Sequence, residues 1–209
     1  MAYQLNLDWP EFLEKYWQKQ PVVLKNAFPN FVDPITPDEL AGLAMEPEVD
    51  SRLVSHANGK WQASNGPFEH FDNLGETGWS LLAQAVNHWH MPAAELVRPF
   101  RVLPDWRLDD LMISFSVPGG GVGPHIDQYD VFIIQGMGSR RWRLVTSCRC
   151  VSSVRIRPCC TSIRLSQSLT KIWPRAISSI FRLDSRMTAS PMKPRSTTLS
   201  VSAGRTVAI

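Results

Sequence analysis

His125 and Asp127 stand two residues apart, a spacing that puts both side chains on the same side of an extended segment. An imidazole and a carboxylate so placed make up two thirds of the 2-His-1-carboxylate triad, which holds Fe(II) by one face and leaves the opposite positions open. A bare His-x-Asp is common and most such pairs sit on surfaces, so the surroundings matter. Here Pro118-Gly119-Gly120-Gly121-Val122-Gly123-Pro124 precedes the pair, a loop suited to close backbone approach. Apolar runs flank it, and a basic cluster of Arg140, Arg141 and Arg143 follows. Two other groups read less well as metal ligands. His88 and His90 fall in a stretch of helical period, where positions i and i+2 do not face each other. Cys148, Cys150, Cys159 and Cys160 lack the short paired gaps of structural zinc sites.

The elements that must position the pair are legible around it. Leu111 to Val117 alternates, with Leu111, Ile113, Phe115 and Val117 on one face and Met112, Ser114 and Ser116 on the other. Beyond the pair, Val131 to Ile134 reads as a buried strand, Gly136 to Gly138 as a turn, and Arg140 to Leu144 as the next strand. Upstream, Asp8 caps a helix with Pro10 in its first turn and Phe12, Leu13, Tyr16 and Trp17 on its apolar face. Val22 to Leu24 follows as a short strand. Thr36-Pro37-Asp38-Glu39 is a capping box that starts a helix through Met45. Ser51 to His56 and Lys60 to Ala63 flank Asn58-Gly59 as a hairpin, and Trp79 to Trp89 has a helical period. Trp9, Trp17, Trp79 and Trp89 read as core. Helices first and closely spaced strands after predict an α+β chain ending in a sandwich or barrel.

The 209 residues, 44% hydrophobic and 20% charged, suffice for one domain with a core. No run is long enough to span a membrane, and the N-terminus has no basic-then-apolar leader, which predicts a cytoplasmic protein. Composition then splits the chain. Residues 1–144 carry 11 Lys and Arg against 18 Asp and Glu, whereas residues 145–209 carry 11 against the single acid Asp184. Ser and Thr make up 20 of those last 65 residues, and of the 20 aromatic residues only Trp173 and Phe181 lie there. The tail shows no sustained period of two or of 3.6, so it is expected to be disordered.

The stretch LMISFSVPGGGVGPHIDQYDVFIIQGMGSRRWRL resembles the metal-binding core of JmjC-type, cupin-fold oxygenases that use Fe(II) and 2-oxoglutarate. WPEFLEKYWQKQPVVLKNAF, DSRLVSH, WSLLAQAVNHWH and LPDWRLDDLMISFS bring it closest to the bacterial ribosomal oxygenases, which hydroxylate an arginine of a large-subunit ribosomal protein. The resemblance runs over residues 1–144 and implies N-terminal helices leading into a double-stranded β-helix, or jelly roll, incomplete in this chain. It implies His125 and Asp127 as iron ligands, and Arg140 with Ser114 as partners of the distal carboxylate of 2-oxoglutarate. O₂ is the second cosubstrate and a basic ribosomal protein the partner, which the acidic residues 1–144 suit. The family also has a C-terminal extension, associated with homodimers, that has no counterpart here.

The family's remaining iron ligand is a histidine in a Pro-Pro-Gly-x-Pro-His segment, and no histidine follows His125. A slip of one base near Val145 accounts for this. Read one base out of register, the codons of Arg182 to Met187 permit Pro-Pro-Gly-Phe-Pro-His, with the histidine straddling Arg186 and Met187. Ser196 to Gly204 likewise permits the family's next strand. On this reading residues 145–209 are translated out of frame and activity is impaired. Asp184 as a substitute ligand has nothing in its spacing to recommend it. The alternative is a non-catalytic module, docking a ribosomal protein through its acidic part and RNA through its basic tail. Without interleaved aromatics or an RNA-binding motif, direct nucleic-acid binding is not expected.

Overall fold

The computed structural model describes residues 2–126, 129–145, 168–173, 178–181, 186–193 and 196–203. The N-terminal elements follow their local signals. The Asp8 carboxylate accepts a hydrogen bond from the Glu11 amide at 3.0 Å and starts α1 (Trp9–Lys15), which buries Phe12. Trp17, just past its end, is buried as well, while Leu13 stays 37% exposed. β1 (Val22–Leu24) follows, then α2 (Pro37–Leu43) with the full capping box. The Thr36 amide donates to Glu39 Oε2 at 2.8 Å and the Glu39 amide donates to Thr36 Oγ1 at 3.2 Å. β2 (Ser51–Ala57) and β3 (Lys60–Asn65) form a hairpin whose turn residues Asn58 and Gly59 both take positive φ, 51° and 75°.

The helix expected over Trp79–Trp89 begins instead as a strand. Trp79–Ala83 forms β4, wedged between β2 and the strand that follows it in the sheet, and only Val86–Trp89 is helical, as α3. Ser80, Leu81, Leu82 and Ala83 are all buried, so the segment is a short two-faced apolar run, which periodicity cannot tell from a buried helix. Trp89, expected in the core, is 49% exposed at the end of that helix. Chain direction then passes through α4 (Met91–Val97) to β5 (Leu108–Ser116).

From β5 on, the strands are β6 (His125–Ile126), β7 (Asp130–Gln135), β8 (Ser139–Val145), β9 (Ser168–Trp173), β10 (Ser178–Phe181), β11 (Arg186–Lys193) and β12 (Ser196–Ala203). Four of these eight strands join the larger sheet, ordered β1-β10-β7-β12-β5-β4-β2-β3, and four make the smaller, β6-β11-β8-β9; all pairings are antiparallel. This is the double-stranded β-helix. Of the tail expected to be disordered, the described residues 168–173, 178–181, 186–193 and 196–203 are strands, and β12 lies between β5 and β7; the rest of it lies outside the described residues. Ser196–Ala203 also alternates in sequence between Ser or Thr and Thr197, Leu199, Val201 and Ala203, a period of two after all.

The large sheet has two different faces. Leu111, Ile113, Phe115, Phe132 and Ile134 join Phe12, Phe28 and Phe100 in one apolar cluster, with the Phe100 and Phe132 rings 4.7 Å apart. The alternate positions Met112, Ser114, Val131 and Ile133 face a cavity on the other side. Among the described residues no helix is long and apolar enough to cross a membrane.

Replacing Thr36 with alanine removes the cap of α2 and is expected to cost about 1 kcal/mol in urea denaturation. Glu39 is held below the usual glutamate range first by the hydrogen bond from the Thr36 backbone amide, which alanine keeps, and then by that from the Thr36 hydroxyl, which alanine removes; the hydroxyl's contribution therefore depends on pH. It is fully present above the ordinary glutamate value and is lost as pH falls through the lowered one, so the difference between wild type and Thr36→Ala narrows in acid.

Candidate functional site

The cavity between the two sheets has a volume of about 410 Å³ and is lined by Met112, Ser114, His125, Ile133, Arg140 and Trp142, among others. Arg140, from β8, is the largest fully buried side chain near it, 2% exposed. Its Nη1 donates to Ser114 Oγ at 3.3 Å and its Nη2 to Ser116 Oγ at 2.5 Å. Ser116 Oγ in turn lies 2.6 Å from Ser80 Oγ, so two hydroxyls on β5 touch the guanidinium and a third, on β4, backs one of them. The guanidinium carbon also sits 5.9 Å from the Trp142 ring centroid, within cation–π range. Burial pulls the Arg140 pKa down to about 10, the mark of a cation held in low dielectric. Such a group gains most from an anion able to take its planar donors in pairs.

Ser114 and Arg140, singled out in the sequence, are thus brought together. Ser116 and Ser80 were missed. Ser116 had a signal, since it shares the polar face of its strand with Ser114. Ser80 had none, because it reaches the site only through the β4–β5 register, in which it pairs with Ser116.

His125 enters the cavity from the other sheet. Its Nδ1 lies 3.0 Å from the Gly123 carbonyl oxygen, which can only accept. A hydrogen bond to that carbonyl requires the proton on Nδ1, the tautomer in which a neutral imidazole binds a metal through Nε2. The loop before it is fastened to the start of β4. The Gly78 amide donates to the Pro118 carbonyl at 2.8 Å and the Val117 amide to the Trp79 carbonyl at 3.2 Å. At Gly120 a side chain would run into the Trp79 carbonyl, which is why a glycine is required there.

Asp127, Asp184 and the four cysteines lie outside the described residues. In backbone register, His125 is the partner of Met187 and Ile126 that of Arg186, so β11 begins directly beside the candidate metal ligand. Among the described residues no group of three or more His, Cys, Asp or Glu gathers to hold a metal ion. His88 and His90 belong to α3 and its cap, away from the cavity lining. A larger cavity of about 630 Å³ lies against the N-terminal segment, between Tyr3, Asn30, Asp33 and Met91, and contains none of the residues singled out in the sequence.

Comparison with known proteins agrees with this arrangement. The model of the JmjC domain matches residues 95–169. The ribosomal protein uL16 3-hydroxylase of Escherichia coli strain K12 is 78% identical over 144 residues, which make up 69% of this chain and 39% of that protein. The structure of the Escherichia coli ribosomal oxygenase YcfD superposes with a TM-score of 0.87 and 55% identity, over 99% of this chain and 53% of that one. The same oxygenase in complex with cobalt and 2-oxoglutarate superposes with a TM-score of 0.87 and 56% identity, over 98% of this chain and 54% of that one. The chain therefore spans about two fifths to one half of the length of these relatives. With the jelly roll, the buried arginine and the histidine on the facing sheet, these matches show that residues 95–169 resemble a JmjC domain and that the chain shares the fold of the ribosomal oxygenases.

Proposed function

We propose that the chain carries the site of an Fe(II)- and 2-oxoglutarate-dependent hydroxylase acting on an arginine of a large-subunit ribosomal protein, in impaired form. The observation that carries this reading is the buried Arg140 guanidinium, ringed by Ser114 and Ser116 in the cavity that His125 also lines. His125 through Nε2, together with Asp127, would hold the iron. Arg140 and Ser114 would take the distal carboxylate of 2-oxoglutarate, the arginine by its paired donors and the serine by its hydroxyl. Bound iron would supply dioxygen activation coupled to oxidative decarboxylation of 2-oxoglutarate. The chain's own residues bind and orient. The serine hydroxyls hold the guanidinium plane, Gly123 fixes the His125 tautomer, and the apolar walls Val131, Ile133 and Trp142 exclude water. The acidic composition of residues 1–144 supports a basic ribosomal protein as substrate, and with it a cytoplasmic place of action. The binding-module alternative has no comparable observation behind it.

Impairment follows from the ligand set. The codon pair of Arg186 and Met187, which permits histidine in the shifted frame, falls where β11 starts beside His125. Identity of 78% over 144 residues drops to 55% over nearly the whole superposed chain, which supports a slip of one base near codon 145. Resequencing across codons 140 to 150 tests the slip directly. A restored-frame chain is expected to release succinate from 2-oxoglutarate in an iron-dependent way, while the 209-residue chain does no better than its own His125→Ala variant. Iron-dependent succinate release by the 209-residue chain well above that control would overturn the impairment.

The cosubstrate assignment is tested by calorimetry with 2-oxoglutarate on the restored-frame chain. Arg140→Lys keeps a charge and loses the planar fork, and is expected to weaken binding about 10-fold, with Ser114→Ala weakening it less. Unchanged affinity in Arg140→Lys would remove Arg140 from the cosubstrate site.

A further inference from the structure

We infer that Trp61, on a hairpin outside the eight strands of the jelly roll, is a positioning residue for His125. The β2–β3 hairpin forms the far edge of the large sheet, and β3 is its last strand. His56 and Trp61 are direct partners across the hairpin, and their rings stack with centroids 4.3 Å apart and planes inclined by 27°. The indole so held reaches the second half of the glycine-rich loop. A methyl group on Gly123 would lie 3.2 Å from both Trp61 Cδ2 and Cε2 and 3.4 Å from Cγ. Near-equal distances to the shared bond of the two rings and to Cγ mean that Gly123 rests on the face of the indole. Gly123 has φ of +74°, so both its backbone conformation and this close approach call for glycine.

The consequence reaches the imidazole. Gly123 supplies the carbonyl that accepts from His125 Nδ1 at 3.0 Å, and the direction of that carbonyl depends on where the loop backbone lies. The first half of the loop is fixed by hydrogen bonds to β4, as described above. The second half bears on Trp61. Trp61 also lines the cavity, 39% exposed, so one ring both shapes the cavity wall and backs the residue that orients the histidine. Groups that hold the distal nitrogen of a metal-binding histidine typically alter metal affinity by 10-fold or more when lost. Trp61 acts one contact further out, through Gly123.

The inference uses the reading of His125 as a metal ligand for its effect on affinity, while the hydrogen bond itself does not depend on that reading. The test uses the full 209-residue chain, with long-range proton–nitrogen NMR of the His125 imidazole and titration with Mn(II), and His125→Ala to assign both signals. The wild type is expected to show the Nδ1–H tautomer. Trp61→Ala is expected to shift toward Nε2–H and to bind Mn(II) about 10-fold more weakly, while Trp61→Phe, which keeps a flat ring face, retains both properties. Should Trp61→Ala not fold by circular dichroism, Trp61→Leu, apolar but without that face, gives the same readout. A folded Trp61→Ala or Trp61→Leu with the wild-type tautomer would overturn the inference. Mn(II) binding that survives His125→Ala would instead overturn the metal reading, and the tautomer would still decide the role of Trp61.

Discussion

Holding a guanidinium inside the sheet sandwich is the constraint on which the rest of the structure depends. Removing an ion of this size from water costs several kcal/mol even after relaxation, and Arg140 is 2% exposed. Hydroxyls and a ring face offset part of the cost. Ser114 and Ser116 accept its protons, Ser80 supports Ser116, and Trp142 offers a ring face. Burial pulls the Arg140 pKa down to about 10, the direction low dielectric imposes on a cation. Bringing this hydroxyl relay to Arg140 requires the β4–β5 register, in which Ser80 pairs with Ser116, and β8 facing these strands from the small sheet.

That requirement explains the two faces of the large sheet. The cavity face tolerates serine because it surrounds Arg140. The opposite face has to supply the stability, and does so with an aromatic cluster joining α1, the segment after α4, and β7 through Phe12, Phe100 and Phe132. Two polar ties add precision at the ends of β7. Gln18 Nε2 donates to Asp130 at 3.0 Å, and the Met137 amide donates to Asp33 at 2.8 Å. The N-terminal helical part is therefore a backing plate for the cavity, with its own surface turned away from the chemistry.

The strands beyond residue 167 separate two demands that usually coincide. Ladder hydrogen bonds join backbone to backbone, so β9 to β12 can complete both sheets with side chains of many kinds. Leu199, partnered by Ile113 on one side and Ile134 on the other, fits the modest requirement of an alternating strand in mid-sheet. A metal site requires particular donor atoms, and a methionine standing in register with His125 meets the first demand without supplying an imidazole. The strand ladders therefore extend over more of the chain than the 144 residues of high identity.

Local signals in the sequence determined the elements whose information is short-range. These include the Asp8 and Thr36 caps, the Asn58-Gly59 hairpin, the alternation that sets Ser114 and Ser116 opposite Ile113 and Phe115, and the His125 position after a glycine-rich loop. The pairing of Ser114 with Arg140 came from family resemblance, and the structure supplied its distance. Where two readings of a run had similar local merit, the sequence could not choose. Trp79–Ala83 became a strand because β2 and β5 offered ladders on both sides, and β12 entered the sheet for the same reason. Ser80 beside Ser116 and Trp61 against Gly123 were decided only in the tertiary structure. Each such contact joins residues dozens of positions apart, and a periodicity read within one segment has no term for the register between two.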